Sequence, residues 1–161
     1  MHRTPGSASN LTTWTWSAWV KRSDLTGTQM ALFGAKEDSN NDTGIWFQTD
    51  NTLQFFNNVG GTVKQIRTNR VFRDTSAWYH ILLAYDNTNS TVSERVIFYV
   101  NGERVISSDA SKYPQLNYDS GMNLAGQKAT LGKLESIGRH FGGYYSEVNF
   151  IDGQALTPDS F

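Results

Sequence analysis

The segment RVIFYVNGERV, residues 95–105, restricts the fold of this 161-residue chain more than any other stretch. Asn101-Gly102 supplies the two left-handed residues of a type I′ turn, and β-branched and aromatic residues flank it on both sides. A hairpin is therefore predicted, with ERVIFYV (94–100) as one strand and ERVIS (103–107) as the other. In TTWTWSAWVK (12–21), Trp14, Trp16, Ala18 and Val20 share one face, while Thr15, Ser17 and Trp19 share the other. WYHILLAYD (78–86) is apolar on both faces, as a central strand is. GIWFQT and TLQFFN flank Asp50-Asn51 as a second hairpin, and NVGG (58–61) turns the chain into TVKQIR. In GGYYSEVNFID (142–152), Tyr144, Ser146, Val148 and Phe150 oppose Tyr145, Glu147, Asn149 and Ile151. ATLGKLESIGRH (129–140) holds one or two short strands.

No segment keeps a helical period, and only Thr157-Pro158-Asp159 opens a helical turn. About ten short strands with turns between them predict an all-β fold of two packed antiparallel sheets. The expected core includes Trp14, Trp16, Ala18, Val20, Trp78, Leu82, Phe98, Val100, Val148 and Phe150. EDSNNDTG (37–44) and residues 108–128 are expected as polar loops. The length suits one domain spanning 1–161, with no linker or internal repeat.

Composition narrows the partners. The net charge is −1, and no run of like charge draws the chain to nucleic acid. No apolar stretch approaches the ~20 residues a membrane helix needs, and MHRTPGSASN lacks the apolar region of a signal peptide. Cysteine is absent, which removes disulfides and thiolate metal sites.

WTWSAWVKR, WYHILLAYD, RVIFYVNGERV, SIGR and GYYSEVNFIDGQALTPDSF, in that order, resemble the laminin-G-like branch of the concanavalin A-like lectin/glucanase superfamily. RTPGSASN, VFRDTSAWYH and VNFIDGQALTPDSF look like the subset found in structural and tail-fibre proteins of tailed phages, marine ones especially. The resemblance spans nearly the whole chain and implies a two-sheet antiparallel jelly-roll β-sandwich. It also implies a concave face and rim loops that often bind carbohydrate, with calcium at the rim in some members. Fold alone does not decide between these properties.

Glycoside hydrolysis needs two carboxylates across the scissile bond. Glucanases of this fold place them on one strand as E-x-D-x-x-E, and none of Glu37, Glu94, Glu103, Glu135 or Glu147 begins that motif. There is no G-x-S-x-G elbow, and His2, His80 and His140 lack metal-ligand spacing. No catalytic residue is expected. His80 fits a hydrogen-bonded structural role. No metal is assigned, although EDSNND, with Asp38 and Asp42, offers the oxygen ligands of a calcium loop. A solvated polar loop is the competing interpretation, and Asp119 and Asp152 are other acidic candidates. No other cofactor is expected.

Sugar rings have an apolar face and a fringe of hydroxyls, so their sites pair aromatics with amides and carboxylates. Trp46, Asn57 and Asn58 in the hairpin region, Tyr118 and Asp119 in the long loop, and His140 near Phe141 provide those groups. Each aromatic is also a core candidate. The expected function is a non-catalytic binding module of the virion, binding a host-surface glycan from a phage fibre or other appendage. The alternative is a protein-binding structural or capsid-decoration domain that packs against other virion subunits or its own copies. A glycan-active enzyme ranks last.

Overall fold

The computed structural model describes residues 1–36, 38–105, 112–134 and 139–161. Its strands, in chain order, are β1 (His2–Arg3), β2 (Thr13–Arg22), β3 (Met30–Lys36), β4 (Asp42–Phe47), β5 (Thr52–Val59), β6 (Thr62–Val71) and β7 (Tyr79–Asp86). They continue as β8 (Val96–Val100), β9 (Glu103–Val105), β10 (Ala129–Leu131), β11 (Lys133–Leu134), β12 (Arg139–His140) and β13 (Gly143–Asp152). One sheet runs β1-β10-β3-β4-β5-β6 and the other β13-β2-β7-β8-β9, every pair antiparallel. A two-stranded β11-β12 pair shares no ladder with either sheet and packs on the six-stranded one through Leu134. Helix among the described residues is confined to short 3₁₀ turns, including Pro158–Ser160.

Turn chemistry sets the register. Asn101 and Gly102 both have positive φ, at 52° and 83°, and join β8 to β9 as the Asn-Gly pair predicts. Gly60 and Gly61 do the same between β5 and β6, at 59° and 80°. In the ERVIS segment, Ile106 and Ser107 lie outside the described residues, as do 108–111 of the long loop and Ser136–Gly138 of SIGR. Glu37 and Glu135 also lie outside them.

The core fills the space between the sheets. Trp14 stacks on Tyr85 at 5.2 Å and meets Phe55 edge-on at 5.9 Å, which ties β2, β7 and β5 together. Trp16, Ala18, Val20, Phe98 and Val100 are buried beside them, and Phe150 packs against the cluster. The loop through 112–128 is held by its own backbone. Tyr85 donates its hydroxyl to the Tyr118 carbonyl at 2.7 Å, and Trp14 donates its indole N–H to Ser120 Oγ at 2.8 Å.

Two core expectations change. Trp78 is 41% exposed: it shares the parity of His80, so it falls on the face opposite Tyr79 and Ile81. Val148 is 40% exposed because β13 carries a bulge between Ser146 and Asn149, where Glu147 takes φ 51°. The bulge resets the alternation, so Tyr145 and Phe150 both reach the core although they lie five positions apart. Leu82 is fully buried, as expected of a core residue, on the face of β7 opposite Ile81 and Leu83. Asp42–Gly44, expected in a loop, begin β4.

Candidate functional site

A polar surface for a ligand lies on the face of the six-stranded sheet turned away from the core. Ile45 and Phe47 point inward, so Gly44, Trp46 and Gln48 point outward. The same alternation sends Gln54 and Phe56 of β5, and Gln65 and Arg67 of β6, to that face. A cavity of about 360 Å³ lies over these side chains.

Four glutamines cross the strands beneath it. Gln29 Nε2 donates to Gln48 Oε1 at 2.8 Å, Gln48 Nε2 donates to Gln54 Oε1, and Gln54 Nε2 donates to Gln65 Oε1 at 2.9 Å. Every bond runs in the same direction, so each amide fixes the orientation of the next. Such a chain polarises cooperatively. Gln48 and Gln54 each keep a second N–H and a second lone pair for a ligand. At the ends, Gln29 Oε1 and Gln65 Nε2 make no hydrogen bond among the described residues.

Charged groups border this row. Asp42 of β4 lies 3.6 Å from Lys36 Nζ across the β3–β4 pair. Arg67 Nη2 reaches Asp50 at 3.0 Å, and Lys112 enters from the long loop. Burial raises the Asp50 carboxyl pKa, but hydrogen bonds from Thr52 and the charge of Arg67 outweigh it and hold it below its ordinary value.

Trp46 lies on this face but is only 2% exposed. It packs with Ala31 and Leu134, 5.3 Å from the Phe56 ring. Leu134 can sit there because the sheet is bare at two glycines. A Cβ at Gly34 would stand 2.7 Å from Leu134 Cδ2, and one at Gly44 would stand 3.3 Å from Leu134 Cδ1. Both rings line the cavity, and Phe56 is the half-buried one of the two.

The other sequence candidates do not join this cavity. Asn57 points inward, where its Oδ1 accepts from Thr43 Oγ1 at 2.6 Å and from the Gly121 N–H at 3.1 Å. Asn58 faces outward opposite Asp42 but is buried, donating to the Ser39 carbonyl at 3.0 Å. Tyr118 donates its hydroxyl to the Thr62 carbonyl at 2.6 Å, which fastens the long loop to the β5–β6 hairpin. Asp119 is exposed in that loop, and its carbonyl accepts from Asn57. His140 is exposed on β12, opposite Lys133. The glutamines are not conspicuous in the sequence. Their signal is parity: Gln48, Gln54 and Gln65 take outward positions next to inward apolar residues, and only the strand register brings them together.

Asp38 and Asp42 serve other partners. Asp38 Oδ1 accepts the backbone N–H groups of Asn40 and Asn41 at 2.7 and 2.9 Å, and the Asn40 bond chiefly lowers its pKa. Asp42 faces Lys36. Among the described residues, no group of three or more His, Cys, Asp or Glu could hold a metal ion.

A second cavity of about 300 Å³ opens where the sheet edges meet, with Trp16, Phe33, Leu131 and Phe150 on its wall. Its apolar wall suits a sugar's hydroxyls less well than the glutamine row does.

The profile described as Laminin_G_3, concanavalin A-like lectin/glucanases superfamily, matches residues 3–160. The chain belongs to this superfamily. No curated protein sequence matches it. Among solved structures, it is similar to domain 4 of AbnA, an extracellular GH43 arabinanase of Geobacillus stearothermophilus, solved with arabinotriose. That match has 23% identity and a TM-score of 0.71 over 98% of this chain and 68% of the other. The CBM40 of the Ruminococcus gnavus IT-sialidase matches at 13% identity and TM-score 0.69, over 99% and 92%. A heptameric SAP-like pentraxin of Limulus polyphemus matches at 19% identity and TM-score 0.60, over 97% and 70%. These likenesses establish the superfamily's jelly-roll sandwich as the fold.

Proposed function

We propose that this superfamily member is a non-catalytic carbohydrate-binding module, and that the sugar sits on the glutamine face of the six-stranded sheet. The observation that carries the proposal is the oriented Gln29–Gln48–Gln54–Gln65 row beneath an open cavity. Its amides each offer both a donor and an acceptor, as a ligand rich in hydroxyls requires. Phe56 adds an apolar surface for a ring face. Related folds solved with arabinotriose and with sialyllactose support the class of ligand. The carboxylate lining the cavity among the described residues is Asp42, held by Lys36, which does not make the pair of acids that glycoside hydrolysis uses.

The virion setting rests on the phage-like motifs at 3–10, 71–80 and 148–161. In that setting the module belongs to a fibre or other appendage and meets a host-surface glycan. Weak single sites would gain from several copies on one particle, since avidity adds about 10²–10⁴-fold. A glycan array probed with and without calcium tests this. Binding that survives loss of calcium and is lost in Gln54→Leu supports the assignment, whereas an array with no bound glycan removes it.

One observation favours a second function, protein binding within the virion. The outer face of the five-stranded sheet exposes Trp19, Trp78, Tyr144 and Phe161, and aromatics are enriched at protein interfaces.

A further inference from the structure

We infer that the cavity between the edges of the two sheets is a second binding site, for a neutral and largely apolar molecule that presents a carbonyl or ether oxygen to the indole N–H of Trp16. It is separate from the glutamine face and does not depend on the carbohydrate assignment.

The cavity follows from the strands that border it. β1 and β13 are each the last strand of their sheet, and residues of both line it. Trp16 is paired with Phe150 across β2 and β13, and its ring stacks on Phe33 of β3 at 6.0 Å. A regular alternation that turns Phe150 inward would turn Val148 inward as well. The bulge at Glu147 instead leaves Val148 on the cavity wall but exposed at its mouth, so the interior is not filled at that level. Bulges recur beside active sites, where they re-aim a side chain. Ala129, on β10, is too small to close the gap.

The space suits a small molecule. Its volume of about 300 Å³ is twice that of a ~150 Å³ apolar cavity that admits benzene, and it meets the lower end of the range for ligand pockets.

The indole supplies the chemistry. Trp14 and Trp16 share one face of β2, and both are fully buried. Trp14 gives its N–H to Ser120 Oγ at 2.8 Å, whereas the Trp16 N–H meets no acceptor among the described residues. A buried donor left in this way keeps the full penalty of its lost hydration. Water is a poor remedy, because a buried water needs two to four polar partners and the side chains of Phe33, Leu131 and Phe150 offer none. An apolar ligand with one oxygen satisfies the donor and covers the wall together. A hydrocarbon leaves the donor unpaired, and a carboxylate brings an uncompensated charge against apolar rings. The N–H is closed to solvent, so the ligand's oxygen reaches it by displacing part of the wall, of which Phe150 is only half-buried.

The test titrates the whole chain with acetophenone and with α-methylstyrene, its hydrocarbon counterpart, in which a methylene group replaces the carbonyl oxygen. The Trp16 indole signal is followed by nuclear magnetic resonance. The ketone should bind at least about fivefold more tightly than the hydrocarbon, and it should move the Trp16 signal downfield as a new hydrogen bond does. Trp16→Phe should remove the preference for the ketone. Ala129→Phe, which fills the cavity, should abolish binding of both. If Trp16→Phe does not fold, the comparison in the unmodified chain decides alone. Equal affinities, an unmoved Trp16 signal, undiminished binding in Ala129→Phe, or no binding of either molecule overturns the inference.

Discussion

Asn57 Nδ2 donates to the backbone oxygen of Asp119 at 3.0 Å, and Asn57 is fully buried. A residue whose type suits a sugar site thus joins β5 to the long loop from the core side. With Thr43 and the Gly121 N–H on its oxygen, Asn57 ties β5 to both β4 and the long loop. Asn57→Ala leaves buried partners short of a hydrogen bond and should cost ~1–3 kcal/mol. Thermal unfolding checks this: the midpoint should fall by roughly 2–4 °C per kcal/mol. Glycan binding should persist below the new midpoint.

Trp16 and Val148 form a paired test of the core. Trp16 is fully buried, stacked 6.0 Å from Phe33, so Trp16→Ala should destabilise by ~3–5 kcal/mol. Val148 sits on the bulge and is 40% exposed, so Val148→Ser should cost far less, about 1 kcal/mol or under. Denaturant unfolding of the two variants measures both. Equal losses would mean that the β13 bulge is not where it is described.

His80 supplies a pH dependence. Burial beneath Trp19 and Phe161 pushes its pKa below the ordinary value, against an opposing pull from Glu147. The folded chain therefore binds this proton less readily than the unfolded chain. Stability is intact above the unfolded value of ~6.5, and it falls as pH drops through that value toward the folded one. Melting followed from about pH 7.5 to about pH 5.5 should show the loss, and His80→Gln should flatten it.

Asp38 and Asp42 predict little response to calcium. One caps its own loop and the other holds Lys36, so neither offers a ready oxygen cage. Millimolar calcium should leave the melting temperature unchanged. A rise that saturates with calcium would reveal a site that these two contacts do not describe.

Much of the fold is legible in the residues because turns and alternation are local. Asn101-Gly102 demands its turn, and the Trp14–Val20 stripe demands a buried face. Trp78 misleads because a bulky aromatic at a strand entrance looks like core until the strand's phase is known. Val148 misleads because a single bulge inverts the alternation after it. The candidate site was harder to see for the same reason. Trp46 falls on the right face, but Leu134 covers it from a hairpin far along the chain. Gln48, Gln54 and Gln65 have no shared spacing in sequence, and cross-strand register alone lines up their amides. Tyr118 and Asp119 have the composition of a binding loop, yet Tyr118 is committed to fastening that loop.

The glutamine face is tested most directly by nuclear magnetic resonance of its side-chain amides. Their Nε2–H signals can be followed while acidic and neutral oligosaccharides are titrated to millimolar concentration. Binding at the row predicts saturable shifts of the Gln48, Gln54 and Gln65 signals with at least one oligosaccharide, and loss of those shifts in Gln54→Leu. Unmoved glutamine signals, or shifts confined to the indole signals of Trp19 and Trp78 on the opposite sheet, would contradict it.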